Sequence, residues 1–291
     1  MRELVLTVGE EDDGALARHF LRRHGLSARV INGLKQTAGL TRGEEILRTV
    51  DRVYTGDVIR IKIEERSSIT GEFAITPNPA LYAEIVYEDD DVLVFNKPSD
   101  MPVHPSLSHA EDTLANLYSA RYPGSAFHAL YRLDKNTSGL CVCAKNRYCA
   151  FVLAENIRKT YYAVVDGTVT EPGTIDAPIG RCGDSIIKRE VRLDGQRAVT
   201  HYKPIANVNG RTLFEITLET GRTHQIRVHF AHIGFPLCGD EMYGGDCSEI
   251  RRQALHCGKI EFTSPVSKEQ IGLSVPLPED IRALLLPSET P

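Results

Sequence analysis

The sequence predicts an α+β protein in two parts: a small N-terminal α/β module, then a larger catalytic domain on a mixed, mostly antiparallel sheet. Three observations carry this. Strand-like and helical stretches intersperse from residue 83 onward with no fixed-period repeat or low-complexity tract. A polar, proline-marked stretch sets them apart from the first sixty or so residues. A length of 291 residues suits one sizeable core plus a smaller module, and is too short for a large multidomain machine.

Taken in order, Asp13 is placed to cap a first helix over 14–24, with Leu16, Phe20 and Leu21 facing inward and Gly25 ending it. Ser27 caps a second helix, which runs through Val30, Ile31 and Leu34 and leaves Arg29 and Lys35 toward solvent. After a glycine-marked turn at Arg42-Gly43, Gly56-Asp57 enters a strand over 58–63 that is apolar and basic by turns. This module spans 1–65 and is marginal as an isolated fold. The linker is 66–82, with Ser67-Ser68-Ile69-Thr70-Gly71 and Thr76-Pro77-Asn78-Pro79. The domain at 83–291 has strands near 92–95, 140–144, 161–165 and 213–218, and helices near 111–122 and 147–157.

Composition narrows the class. With 42% hydrophobic and 25% charged residues the chain is an ordinary globular protein, which excludes collagen, coiled coil and extensive disorder. Its apolar runs fall far short of the roughly 20 residues of a membrane span. The start, Met-Arg-Glu-Leu-Val-Leu followed by Glu10-Glu11-Asp12-Asp13, is neither a signal peptide nor a basic transit peptide, so a cytoplasmic protein is expected. Seven cysteines at irregular spacing fit a reduced compartment. The net charge of -5 argues against a general nucleic-acid binder, but charge is segregated: 14–42 holds six Lys or Arg and no acid, whereas 84–91 holds five acids.

Four polar segments, three of them glycine-marked, sit where strands end, where scaffolds present functional groups. They are 96–105, stiffened by three prolines; 128–140, with Asp134 at a bend; 159–167, which enters a strand with Tyr161 and Tyr162 on opposite faces; and 221–234, read as a helix capped by Thr223 and stopped by Gly234. In the last, Ile226, Phe230 and Ile233 share a buried face, and His224 and Arg227 project as neighbours able to meet a carboxylate or a phosphate. Taken alone, Asp134 is more often a turn residue than a catalyst. His224, His229 and His232 lack the partners of a metal site, Cys141 and Cys143 fit buried small residues better than a redox pair, and Ser138-Gly139 lacks a hydrolase elbow. Lys188 and Arg189 either line a nucleic-acid path or decorate a loop.

Together these segments closely resemble the RluA family of pseudouridine synthases, which isomerise uridine in ribosomal or transfer RNA. The motifs are R-L-D-x-x-T-S-G at 132–139, K-x-Y-x-A-x-V-x-G at 159–167 and G-R-T-H-Q-I-R-V-H at 221–229, with N-K-P at 96–98 and L-x-G-D-x-x-Y-G at 237–244. Two positions depart from the family: Tyr131 stands for its usual His, and Asp100 for its usual Gly. The N-terminal module resembles the small RNA-binding domain of ribosomal-protein type; the other reading of it is a solvated helical cap with no binding role.

The resemblance implies an RNA-binding enzyme without cofactor or metal, and a monomer is the default expectation. It implies Asp134, Tyr161 and Arg227 as catalytic residues, and Arg132, Thr137, Gly139, Arg222, His224 and Gln225 as substrate-binding ones. The chemistry suits these types. Moving uracil from an N-link to a C-link exchanges no electrons or atoms with a partner. A carboxylate either attacks C1′ or removes the C2′ proton, and a guanidinium beside a carboxylate favours its charged form. Tyr161 would carry the loose base, and the nucleotide would leave the RNA stack to reach it. Two rivals remain: a non-catalytic RNA-binding assembly factor, and a nucleoside or glycoside hydrolase, which needs a second carboxylate near Asp134, with Asp100 the candidate.

Overall fold

A computed structural model describes residues 2–63, 75–183 and 185–286. Its N-terminal part comprises β1 (Arg2–Thr7), α1 (Ala17–Arg23), α2 (Ala28–Thr37), β2 (Leu40–Arg42), β3 (Glu45–Ile46) and β4 (Val58–Ile63), with the strands ordered β1-β4-β2-β3. β4 alternates as its sequence predicts: Ile59, Ile61 and Ile63 are buried, Val58, Arg60 and Lys62 exposed. β1 has no counterpart in the sequence reading. It pairs along its whole length with β4, a partner more than fifty residues away that local pattern does not reveal.

The Ser27 hydroxyl caps α2 by accepting from the Val30 amide at 3.3 Å. The first helix differs from expectation. It starts after Leu16 without a side-chain cap, and Asp13 instead accepts from the Thr55 amide and hydroxyl at 2.9 and 3.1 Å, tying the helix entrance to the loop before β4. The side chains of Arg29 and Lys35, and the linker residues up to 74, lie outside the described residues. Phe20, Leu21, Leu26 and Ile31 share one buried cluster with Ala144, Tyr148 and Cys149 of the larger part, so the module borrows core from its neighbour.

The larger part runs β5 (Glu84–Glu88), β6 (Val92–Lys97), α3 (Leu114–Arg121), β7 (His128–Ala129), β8 (Ser138–Ala144), α4 (Arg147–Leu153), β9 (Ile157–Asp166), β10 (Gly173–Asp176), β11 (Ile179–Arg181), β12 (Arg189–Val191), β13 (Val199–Val208), β14 (Arg211–Leu218), α5 (Gln225–His232), β15 (Leu255–Thr263), β16 (Gln270–Ser274) and α6 (Glu279–Ala283). The main sheet has the order β10-β13-β14-β9-β15-β8-β6-β5. Its pairs are antiparallel except β15 with β8, as a mixed, mostly antiparallel sheet requires. α4 stops at Leu153 rather than near 157, because Ile157 is taken into β9 opposite Phe262. Among the described residues no helix is long and apolar enough to cross a membrane.

Register explains how distant motifs meet. One transverse row of the sheet runs Lys97, Gly139, Cys257, Tyr161, Ile216, Tyr202, each directly opposite the next. Residues directly opposite share a face, so the N-K-P, T-S-G and K-x-Y motifs are brought to one line although some sixty residues of chain separate Lys97 from Tyr161. α5 covers this region through Phe230, whose ring lies 5.1 Å from Phe214 and 5.5 Å from Tyr202.

Gly139 is required at its place. Its φ is +112°, and a Cβ there would stand 2.3 Å from the Cys257 carbonyl oxygen, in the backbone of the adjacent strand. Gly139→Ala is expected to cost about 3 kcal/mol from backbone strain and overpacking together. Urea denaturation checks this, and an unchanged midpoint would contradict it.

Candidate active site

Asp134 lies in the turn between β7 and β8, closed by the Thr137 amide donating to the Asp134 carbonyl at 3.0 Å. Its carboxylate is about one-quarter exposed, while the surrounding groups are sealed. The Arg227 guanidinium donates to Asp134 Oδ2 from Nη1 at 3.2 Å. Its other edge forms a two-pronged pair with Asp240, Nε to Oδ2 at 2.7 Å and Nη2 to Oδ1 at 2.8 Å. Asp240 is 1% exposed and Arg227 6%. Arg227 therefore serves as a fixed bridge between a buried carboxylate and a reachable one. Burial works against its charge, but the two carboxylates outweigh that and hold the guanidinium above its ordinary pKa.

His224 approaches from the other side, with Nε2 3.9 Å from Asp134 Oδ2 and Nδ1 2.8 Å from the Tyr243 hydroxyl. Tyr243 also accepts from the Arg189 amide at 3.0 Å, and the Arg227 guanidinium stands 5.0 Å from its ring centre. Burial pushes the His224 imidazole below its usual pKa, so it is neutral at pH 7. Thr223 does not cap α5. The helix opens after His224, whose φ of +58° is left-handed, at a cost of about 1 to 2 kcal/mol, and whose side chain faces the aspartate instead of the helix amides.

Tyr161 is 7% exposed. Its phenol is pushed well above the ordinary range by burial, with Cys257 and then Asp134 adding to the effect, so it stays protonated at neutral pH. The other residues read from the sequence divide into two groups. Arg132 and Arg222 are exposed, Arg222 donating to the Arg197 carbonyl at 3.0 Å. Thr137, Gly139 and Gln225 lie buried beneath the site rather than on it. The Thr137 hydroxyl accepts from Gln253 at 3.1 Å, and Gln225 spends both ends internally, accepting from Thr220 and the Arg222 amide and donating to Val199 and Thr200. Their motif positions reflect the packing that holds the loops.

Asp240 and Tyr243 belong to the L-x-G-D-x-x-Y-G segment, whose spacing alone assigns them no role. The signal for Asp240 was the arginine: a buried guanidinium with two donor edges needs a second acceptor. His229 is fully buried between Thr200 and the Ala177 carbonyl, and Cys141 and Cys143 are buried free thiols.

Comparison with known proteins agrees with this constellation. The family model described as RNA pseudouridylate synthase matches residues 91–232. A Bacillus subtilis protein named as an uncharacterized RNA pseudouridine synthase is 38% identical over 274 residues, covering 90% of this chain and 95% of that one. The chain belongs to the RluA-type RNA pseudouridine synthases. The synthase is also 38% identical to ribosomal large subunit pseudouridine synthase D of Pseudomonas aeruginosa, over 97% of this chain and 93% of that one. The solved structure of human RNA pseudouridylate synthase domain containing 1 shares its fold with a TM-score of 0.57 and 25% identity, over 69% of this chain and 85% of that one. The enzyme thus isomerises uridine to pseudouridine in RNA.

Breaking the buried side of the bridge tests its importance. In the synthase, Asp240→Asn should lower the unfolding free energy by about 3 kcal/mol, since it leaves a buried guanidinium short of one carboxylate. It should also lower turnover at saturating RNA. A denaturation midpoint and a turnover both equal to the parent's would show that Arg227 does not depend on Asp240.

Proposed function

We propose that Asp134 is the carboxylate that starts the isomerisation, that Arg227 is its guanidinium partner, and that Tyr161 meets the uracil. The observation that carries this is the Asp134–Arg227–Asp240 arrangement. One carboxylate is reachable, the other is buried, and the guanidinium between them is held by both. A reacting carboxylate must be open to a ribose yet shielded from bulk water, because hydrolysis would destroy the product. Both starting steps, attack at C1′ and removal of the C2′ proton, suit Asp134. Tyr161 is the floor of the site rather than a free-standing platform, since little of it is open. Neither step exchanges electrons or atoms with a second reactant, so the reaction is read as free of cofactor and metal.

Ribosomal RNA is the proposed substrate, in line with relatives named for the large ribosomal subunit. Exposed Arg132 and Arg222 flank the site, and a groove of about 370 Å³ beside it is lined by Arg181, Arg189 and Arg222 among others. Arg181 and Arg222 have no ion-pair partner among the described residues, which leaves their charge available to phosphates. Residues 1–65 are proposed as an RNA-binding domain, 66–82 as the linker and 83–291 as the catalytic domain. Arg18, Arg22 and Asn32 line a second groove on the small module. A monomer in the cytoplasm is the proposed setting, and the seven cysteines, five of them buried and none in a disulfide among the described residues, accord with the compartment.

A hydrolase is disfavoured. Asp100 is 81% exposed at its side chain and paired with Lys135 at 2.9 Å, and Asp240 is sealed and committed to Arg227, so neither is free to activate water beside Asp134.

The decisive experiment uses RNA carrying tritium at uridine C5. The parent should release tritium while the base stays joined to the chain, and Asp134→Asn should lower the rate by about a thousandfold. Release of free uracil would indicate hydrolysis, and no release from the parent would leave only an RNA binder. Tyr161→Ala should lose turnover more than RNA affinity; equal turnover would count against its contact with the base.

A further inference from the structure

The β11–β12 hairpin ends in two neighbouring isoleucines held out in water: Ile186 is 77% exposed and Ile187 57%. Single apolar side chains on a surface are ordinary, but a turn usually carries glycine, asparagine, aspartate or serine, and a β-branched pair there does nothing for the bend. The turn is shaped by other groups. The Cys182 amide donates to the Lys188 carbonyl at 3.1 Å, and the Ser185 hydroxyl accepts from the Ile187 and Lys188 amides at 3.3 and 2.9 Å. Arg189 folds back over it, Nη1 donating to the carbonyls of Ile186, Ile187 and Lys188 at 3.1, 3.0 and 3.1 Å. Much of the loop's backbone is thus satisfied from within, and the two isoleucines stand on a braced support, with β-branching limiting their rotation.

The base of the hairpin is joined to the candidate active site. Ile179 and Val191, opposite each other across the two strands, pack with Val228 and Tyr243, and Val228 follows Arg227 on α5. The Arg189 amide donates to the Tyr243 hydroxyl, which His224 also engages from the flank of Asp134. From Arg189 to Ile186 is no more than about 10 Å of chain, so the tip stands near Asp134. Exposed Arg181 and Lys188 flank the turn, Arg181 lines a groove with Arg222, and none of the three has an ion-pair partner among the described residues. An apolar point set among unpaired cations suits a partner that is anionic outside and apolar within, which describes a stack of bases between phosphate chains.

We propose that Ile186 and Ile187 form a wedge that enters the RNA stack beside the target uridine and holds open the gap left when that nucleotide turns out toward Asp134. This rests on Asp134 being the reacting carboxylate. Extrusion costs the stacking of a base, and an apolar side chain inserted in its place covers the faces of the neighbouring bases while itself leaving water. The cations beside the turn bring phosphates to it, and the bond from Arg189 to Tyr243 sets its distance from the site. The wedge touches no reacting atom, so its loss slows the arrival of the uridine and leaves the chemistry that follows unchanged.

The test uses the stem-loop of large-subunit ribosomal RNA that the protein protects from nuclease, with tritium at uridine C5. A second form has an abasic nucleotide 3′ to the protected uridine, so that stacking on that side is already lost. The pair Ile186→Ser and Ile187→Ser should lose about thirtyfold in single-turnover tritium release on the intact stem-loop with affinity within about threefold, and should stay within about threefold of the parent on the abasic form. The pair Ile186→Leu and Ile187→Leu, which keeps the apolar bulk, should stay within about threefold on both RNAs, as should Leu193→Ser, which removes a fully exposed apolar side chain just past the far end of β12. Fluorescence of 2-aminopurine placed beside the uridine reads opening without chemistry: it should rise when the parent binds and stay flat with the serine pair. A serine pair at parental rate on intact RNA would overturn the wedge and turn the tip toward a protein partner. Equal loss on both RNAs, an affinity loss as large as the rate loss, a leucine pair or Leu193→Ser as slow as the serine pair, or no brightening with the parent would each overturn it too. A parent that brightens 2-aminopurine but releases no tritium speaks against the proposed function and leaves the wedge standing.

Discussion

The site depends on one guanidinium that has to face two carboxylates at once. Arg227 is held on one edge by Asp240, which is inaccessible, and offers the other to Asp134, which is not. A buried pair of this kind earns little net stability, because desolvation offsets most of the attraction. What it provides is direction: a planar fork locked on one side cannot turn away when RNA arrives. His224 and Tyr243 close the same cluster from the opposite flank, and the strained backbone at His224 is what aims that imidazole at Asp134 instead of at its own helix.

The sheet supplies the frame on which this cluster is hung. Lys97, Gly139, Cys257 and Tyr161 stand in one row across β6, β8, β15 and β9, and the parallel pairing of β15 with β8 is the join that completes the row. Gly139 is bare because the neighbouring backbone occupies the space of a side chain. The turn that bears Asp134 runs into β8, and Lys97 ends the adjacent strand β6. The carboxylate proposed to react, though on a turn, is thereby tied to rigid elements below it, which suits chemistry that tolerates little misplacement.

Much of this was legible in the chain itself, for identifiable reasons. Asp134 and Arg227, 93 positions apart, were matched through motifs and now share a hydrogen bond. The β4 strand and the Ser27 cap followed from alternation and local hydrogen bonding, which are short-range signals. The elements that escaped are those decided by distant partners. β1 exists because β4 lies beside it, α4 ends early because β9 claims Ile157, and Thr223 loses its capping role to the left-handed turn at His224. Thr137, Gly139 and Gln225 were recognised as motif residues, yet a motif does not tell a residue that touches RNA from one that holds the loop beneath it. Their burial does. Asp100, where the family's usual residue is glycine, adopts the left-handed φ of +64° that glycine favours and turns its carboxylate to Lys135.

The most direct test of the central claim is a crystal structure of the enzyme bound to RNA with 5-fluorouridine at the position it modifies. The account predicts the fluorinated nucleotide outside the helix stack, its ribose against the Asp134 carboxylate, its base over Tyr161, and the Arg227–Asp240 fork intact. A nucleotide left in the stack, or a ribose held away from Asp134 with Arg227 swung toward solvent, would contradict it.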